Sequence, residues 1–198
     1  VFVTLEGPEG AGKSTAARGL ALRLEEAGRQ VVLTREPGAG ELGAQIRAIL
    51  LHGGEMPPLS ELFLFLADRA NHVDRVIRPA LERGEVVVCD RFADSTVVYQ
   101  GHARGLDADQ LRRLNALATQ GLAPNLTLLF DLPVEVGLRR LTSPDRMDAQ
   151  PVEFHQRVRD GFLKEAAREP ERWRTIDASQ KPEAVLDACW RELRSILQ

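Results

Sequence analysis

"GPEGAGKS", residues 7–14, follows the apolar run Val1 to Leu5 and opens an amphipathic stretch that stops at Gly28. It fits G-x-x-x-x-G-K-[S/T], with strand, loop and helix in the order that motif requires. Glycines let successive backbone N–H groups turn inward as an anion cradle. The first turn of the following helix adds partial positive charge. Lys13, one of only three lysines in the 198-residue chain, brings a mobile point charge to the β- and γ-phosphates of a nucleotide. Ser14 offers a hydroxyl to Mg2+. Thr15 faces the helix interior or the α-phosphate. The loop predicts a nucleoside triphosphate plus Mg2+. It does not say what receives the γ-phosphoryl group.

Outward from this loop, short apolar runs alternate with helical patterns. The strand candidates are Val1 to Leu5, Val31 to Thr34, Val86 to Asp90, Leu126 to Asp131 and Arg174 to Asp177. Most are continuously apolar, as strands buried on both faces are. The helix candidates are Ser14 to Ala27, Glu41 to Leu51, Ser60 to Arg83, Ala108 to Gln120, Val134 to Leu141, Pro151 to Arg168 and Pro182 to Leu197. The expected fold class is α/β: one three-layer α/β/α domain over 1–198, with a mostly or wholly parallel sheet of about five strands. In such sheets ligands bind beyond the carboxyl ends of the strands.

Net charge is −3, so no overall positive field calls for nucleic acid. No apolar run approaches the ~20 residues that span a bilayer, and no leader-like segment is seen. No membrane partner and a cytoplasmic location are expected. Cys89 and Cys189 read as buried free thiols. His52, His72, His102 and His155 are scattered, without zinc spacing; surface or helix-end positions and no catalytic role are expected of them.

The guanine-reading Asn-Lys-x-Asp of GTPases is absent, and the chain is short for an ATPase motor. A small-molecule kinase fits better, and two segments can supply its acceptor site. In "VVVCDRFADSTVVYQG", residues 86–101, Asp90-Arg91 end a strand. The aspartate can hold the hydration shell of Mg2+ and the arginine an anionic phosphate, unless the two form a structural ion pair. In "LFLFLADRANH", residues 62–72, Phe65 and Arg69 share a helix face. Ring and guanidinium together can hold a nucleobase. The plain alternative is a core phenylalanine beside a surface arginine, since Phe63 and Phe65 cannot both be spared from the core.

With "TREPGAGELGAQIR", "FLADRANHV", "PNLTLLFDLPVEVGLRR", "DRMD" and "TIDAS" added to these pieces, the chain resembles bacterial thymidylate kinases from end to end. That resemblance implies a P-loop kinase fold with a short lid near 142–150. It implies transfer of the γ-phosphoryl group of ATP to dTMP, giving dTDP and ADP on the route to dTTP, with Mg2+, in a homodimer. It implies that Gly7, Pro8, Glu9, Gly10, Ala11, Gly12, Lys13, Ser14 and Thr15 surround the ATP phosphates, with Arg140 and Ala178 near adenine. Ser14 and Asp90 serve the metal. Glu36 and Pro37 lie beside the sugar and phosphate, with Arg35 near them. Arg91 holds the acceptor phosphate, and Ser95 is among the residues that bind the acceptor. Phe65 stacks on thymine and Arg69 bonds a carbonyl of it. Thr96 and Gln100 read the base, while Tyr99 excludes a 2′-hydroxyl. Glu9 is expected near the sugar.

Some members of the family carry a catalytic arginine in the loop, where this chain has Gly10. The resemblance therefore assigns that charge to the lid, to Arg146 first, with Arg139 or Arg140 in support. The chain departs from the family at Ala39, Phe92 and Asp148, which stand where glycine, Tyr or His, and Glu are usual.

Overall fold

The computed structural model describes residues 1–142 and 145–197. Its sheet has five parallel strands, β1 Phe2–Glu6, β2 Val31–Arg35, β3 Val86–Asp90, β4 Leu126–Asp131 and β5 Trp173–Asp177, in the order β2-β3-β1-β4-β5. The expected three-layer α/β fold is found, and the sheet expected to be mostly or wholly parallel is wholly so.

Strand alternation assigns the core. Val3, Leu5, Val86, Val88, Leu126 and Leu128 face α1 (Lys13–Glu26) and α9 (Pro182–Arg194), where Leu20, Leu24, Cys189 and Leu193 meet them. On the other face Phe2, Val87 and Cys89 pack on Val73, Ile77 and Phe92. Further along that face, Leu129 and Trp173 lie on Val98, Tyr99 and the helix Val152–Arg168, which contributes Val158 and Phe162. Thr4 and Thr127 share a hydrogen bond of 2.9 Å inside the sheet, so their buried hydroxyls are satisfied. Both cysteines are free and buried, as expected. No helix among the described residues is long and apolar enough to cross a membrane.

Two helical findings depart from the periodicity. The run expected from Ser60 to Arg83 is an α-helix, α3, only over Pro58–His72. A π-helical segment, Val73–Ile77, leads to the short helix α4, Arg78–Glu82. Pro79 has no N–H and its ring conflicts with the carbonyl four residues back, and a local i→i+5 turn absorbs both. The second finding is α5, Ala93–Thr96, continuing as a π-helical Val97–Ala103 ahead of α6, Ala108–Thr119. Thr96, Val97 and Val98 are β-branched and disguise it.

Register fixes the working edge. Leu5 and Arg35 both pair with Asp90, so the loops after β1, β2 and β3 leave the sheet at one level. β1 and β3 are neighbours in space but distant in sequence. Their loops diverge and open a crevice at the carboxyl edge.

Candidate active site

The loop after β1 closes on the sheet through glycines. Gly7 has φ +141°, and a Cβ there would lie 2.5 Å from the Phe130 carbonyl oxygen. Gly10 has φ +67°, and a Cβ there would lie 2.0 Å from the carbonyl oxygen of Gly137, in α7 (Val134–Arg139). A Cβ on Gly137 would in turn lie 2.3 Å from the Glu9 carbonyl oxygen. Cradle and α7 are therefore in backbone contact.

Lys13 Nζ donates to the carbonyls of Gly7 at 2.8 Å and Pro8 at 2.7 Å. Burial, then the nearby Arg91, draws its pKa down to about 8 against the pull of Asp90, Glu9 and Glu6. Ser14 Oγ donates to the Asp90 carboxylate. Two hard oxygen donors so placed suit Mg2+, which keeps waters and takes few protein ligands.

Of the hollows along this edge, three bear on the site. The first is lined by Phe65, Arg69, Thr96, Tyr99 and Gln100. The second holds the backbone of 10–14 with Ser14, Asp90 and Arg35. Glu9, Glu36, Arg47, Arg91 and Asp148 belong to both, so the two open into each other. The third, on the far side of Gly10 and Gly12, is lined by Thr15, Arg140, Ala178 and Pro182. Arg140 Nη1 donates to the carbonyl of Ala178 at 3.0 Å.

Between the first two hollows sits a buried cluster. Glu9 is 8% exposed and is no solvent-facing loop carboxylate. It accepts from the Tyr99 hydroxyl, from Arg91 at 3.3 Å and from His155 Nδ1 at 3.2 Å. Burial pushes its pKa up, but His155, Arg91, Lys13 and Tyr99 outweigh that and hold it at about 2. Arg91 has φ +69°, donates to the Gly7 carbonyl at 3.1 Å and lies over the Tyr99 ring at 5.0 Å. Below it Glu6 is fully buried and accepts from Ser95 Oγ at 2.6 Å and from the Phe92 N–H at 2.8 Å. Burial and Asp94 raise its pKa to about 7 against Ser95, Arg91 and Phe92.

Other expected site residues lie apart from this cluster or are already engaged. Arg146 lines neither of the first two hollows. Its Nε donates to the Leu50 carbonyl at 2.9 Å and its Nη2 to Glu61 at 2.5 Å. The buried Glu61 carboxylate needs cationic partners, and Arg146 is one of them. Arg139 lines none of the three hollows. Arg69 is no surface arginine: it is 1% exposed, and its five N–H donors meet Glu36 twice, Thr96, Asn115 and the Phe92 carbonyl. A base carbonyl would have to share one of those bonds.

Phe63 and Phe65 are both spared from the core: Phe63 is 58% exposed and Phe65 is half-buried at the first hollow. His72 ends α3 and His155 lies near the start of the helix Val152–Arg168, helix-end positions as expected, but both are buried rather than superficial. His72 bridges Thr34 at 2.8 Å and Glu36 at 2.9 Å, while His155 joins Glu9 to the Asp148 carbonyl. Residues 143–144 of the expected lid lie outside the described residues.

Sequence reasoning missed Arg47 of α2 (Gly40–His52), which faces both hollows and donates to the Pro37 carbonyl at 2.9 Å. The signal was present: Gly43, Ile46 and Leu50 mark the inward stripe, and Arg47 falls on it. Asp145 and Met147 also line the first hollow.

The thymidylate kinase family model matches residues 5–189. A thymidylate kinase of Desulfovibrio desulfuricans is 52% identical over 210 residues, covering 100% of this chain and 97% of that protein. One of Thermomicrobium roseum is 50% identical over 201 residues, covering 100% and 96%. The crystal structure of thymidylate kinase from Ehrlichia chaffeensis superposes with a TM-score of 0.82 at 34% identity, covering 98% of each chain. Cradle, adjoining pocket and full-length likeness agree: this chain belongs to the thymidylate kinase family.

Proposed function

We propose that the chain moves the γ-phosphoryl group of ATP onto the phosphate of dTMP at the wall shared by the first two hollows. The observation that carries this reading is the opening of the P-loop hollow into the aromatic and amide-lined one through Glu9, Arg47 and Arg91. The triphosphate lies along 10–15, and adenine lies in the third hollow against Ala178 and Arg140. Thymine stacks on Phe65 beside Thr96 and Gln100, and Tyr99 closes the sugar side.

A phosphate oxygen of dTMP attacks the γ-phosphorus. The bond to the β-bridging oxygen breaks, and ADP leaves with the electron pair. The acceptor is already an anion, so no general base is needed. Glu9 acts by holding Arg91 and Tyr99 in place. Such transfers depend on positioning and charge stabilisation. Arg91 holds the acceptor phosphate and Lys13 the β- and γ-phosphates. Arg47, facing both hollows, takes the part expected of Arg146. Ser14 and Asp90 would hold Mg2+, directly or through its waters, and the ion would supply charge neutralisation at the donor phosphates.

The test is ADP release with a panel of nucleoside monophosphates. dTMP is expected to give the highest kcat/KM, and a different best acceptor refutes the reading. A homodimer is part of the proposal; Leu59 and Phe63, exposed one turn apart on α3, offer it a surface that sedimentation of Phe63→Glu would check.

A further inference from the structure

Behind the first hollow, Glu61 of α3 is 1% exposed. Gln100 Nε2 donates to its Oε1 at 2.8 Å, and Arg104 Nε lies 2.9 Å from the same oxygen. Arg146 donates to Oε2 at 2.5 Å. A primary amide has a donating end and an accepting end, whereas a carboxylate between two guanidinium groups only accepts. Gln100 must therefore turn its nitrogen to Glu61. Gln100 is itself 1% exposed and lines the hollow. Among the described residues its Oε1 takes no hydrogen bond, yet it is not among the sealed, unpartnered polar atoms. It is the end left for a ligand. One turn earlier, Thr96 Oγ1 accepts from Arg69 at 2.8 Å, which leaves the Thr96 O–H for a neighbouring carbonyl.

We propose that Glu61 is the positioning residue that sets which pyrimidine the pocket takes: by holding the Gln100 nitrogen it commits Gln100 Oε1 to accept a hydrogen bond. This rests on the base lying in the first hollow. Thymine and uracil carry a hydrogen on N3. Cytosine carries a lone pair there and would face Oε1 acceptor to acceptor, leaving both unpaired. A pocket built around one hydrogen bond rejects the analogue lacking it by about 10⁴ or more. Glu61 touches no ligand and acts through Gln100. A merely structural role would lower turnover of all acceptors together.

The experiment measures kcat/KM for dUMP and dCMP, whose bases differ only at N3 and the 4-substituent, in the unaltered enzyme, Glu61→Gln and Arg146→Met. Glu61→Gln can accept or donate, so Gln100 is free to turn over, and the dUMP:dCMP ratio falls by at least about tenfold. Arg146→Met leaves the acceptor in place, so the ratio stays within about twofold, whatever happens to turnover. An unchanged ratio in Glu61→Gln overturns the proposal. So does an equal fall in Arg146→Met, which would trace selectivity to packing beneath the lid. If Glu61→Gln does not fold, Glu61→Gln/Arg104→Met removes the unpaired charge and carries the same expectation. An unaltered enzyme that takes dCMP as readily as dUMP would instead overturn the placement of the base.

Discussion

Gly10→Ala tests how the cradle is held. Two costs can be separated. A side chain at φ +67° costs about 1–2 kcal/mol relative to the right-handed region. The new Cβ would also lie 2.0 Å from the Gly137 carbonyl oxygen, where real Cβ atoms essentially never come closer than 3.0 Å. Loop and α7 must part by about 1 Å, at an overpacking cost of about 1–3 kcal/mol. The reduced freedom of the unfolded chain returns about 0.4–1 kcal/mol. The net expected loss is roughly 1–4.5 kcal/mol.

Gly12→Ala is the internal control. Its φ is +87°, but nothing lies within 4 Å of the added carbon, so it carries the first cost alone. Urea unfolding followed by tryptophan fluorescence should show Gly10→Ala less stable than Gly12→Ala by about 1–3 kcal/mol. Gly10→Arg should fare no better than Gly10→Ala, so an arginine cannot simply be restored to the loop here. Equal stability of the two alanine variants would refute the backbone contact between cradle and α7.

Lys13, drawn down to about 8, should regain its proton when phosphates arrive. At pH 8.5 ATP binding should take up a proton, seen in calorimetry as a heat that varies with buffer ionisation; a buffer-independent heat would contradict this. Glu9, held at about 2 against 4.5, adds stability that is present above pH 4.5. It is lost as pH falls toward 2, on the order of 3 kcal/mol. Glu9→Gln should flatten this acid limb of the stability profile, and an unaltered slope would rule out the buried cluster as its source.

The fold was largely readable because local and global signals agree. Apolar runs gave every strand to within a residue, and the glycine loop gave the edge where ligands bind. The π-helical Val97–Ala103 was hidden because its β-branched residues serve packing, Val98 in the cluster of Leu129 and Phe162 and Val97 in that of Leu62 and Leu111, not helix propensity. The site was readable in its residue types more than in its wiring. Phe65, Arg91, Tyr99 and Gln100 gather around one hollow. That Arg146 ends on Glu61, and that His155 reaches Glu9 across 146 residues of chain, depends on which buried charge most needs a partner. That competition is settled by packing, which periodicity does not encode.

Glu9, Arg47, Arg91 and Asp148 each have a side in both of the first two hollows. Filling one hollow changes the field and the freedom of atoms that also form the other. By reciprocity, the factor by which ATP alters the affinity for dTMP must equal the factor by which dTMP alters the affinity for ATP. The order in which the two substrates arrive is then a kinetic matter, and the closed square of four binding equilibria has only three independent constants.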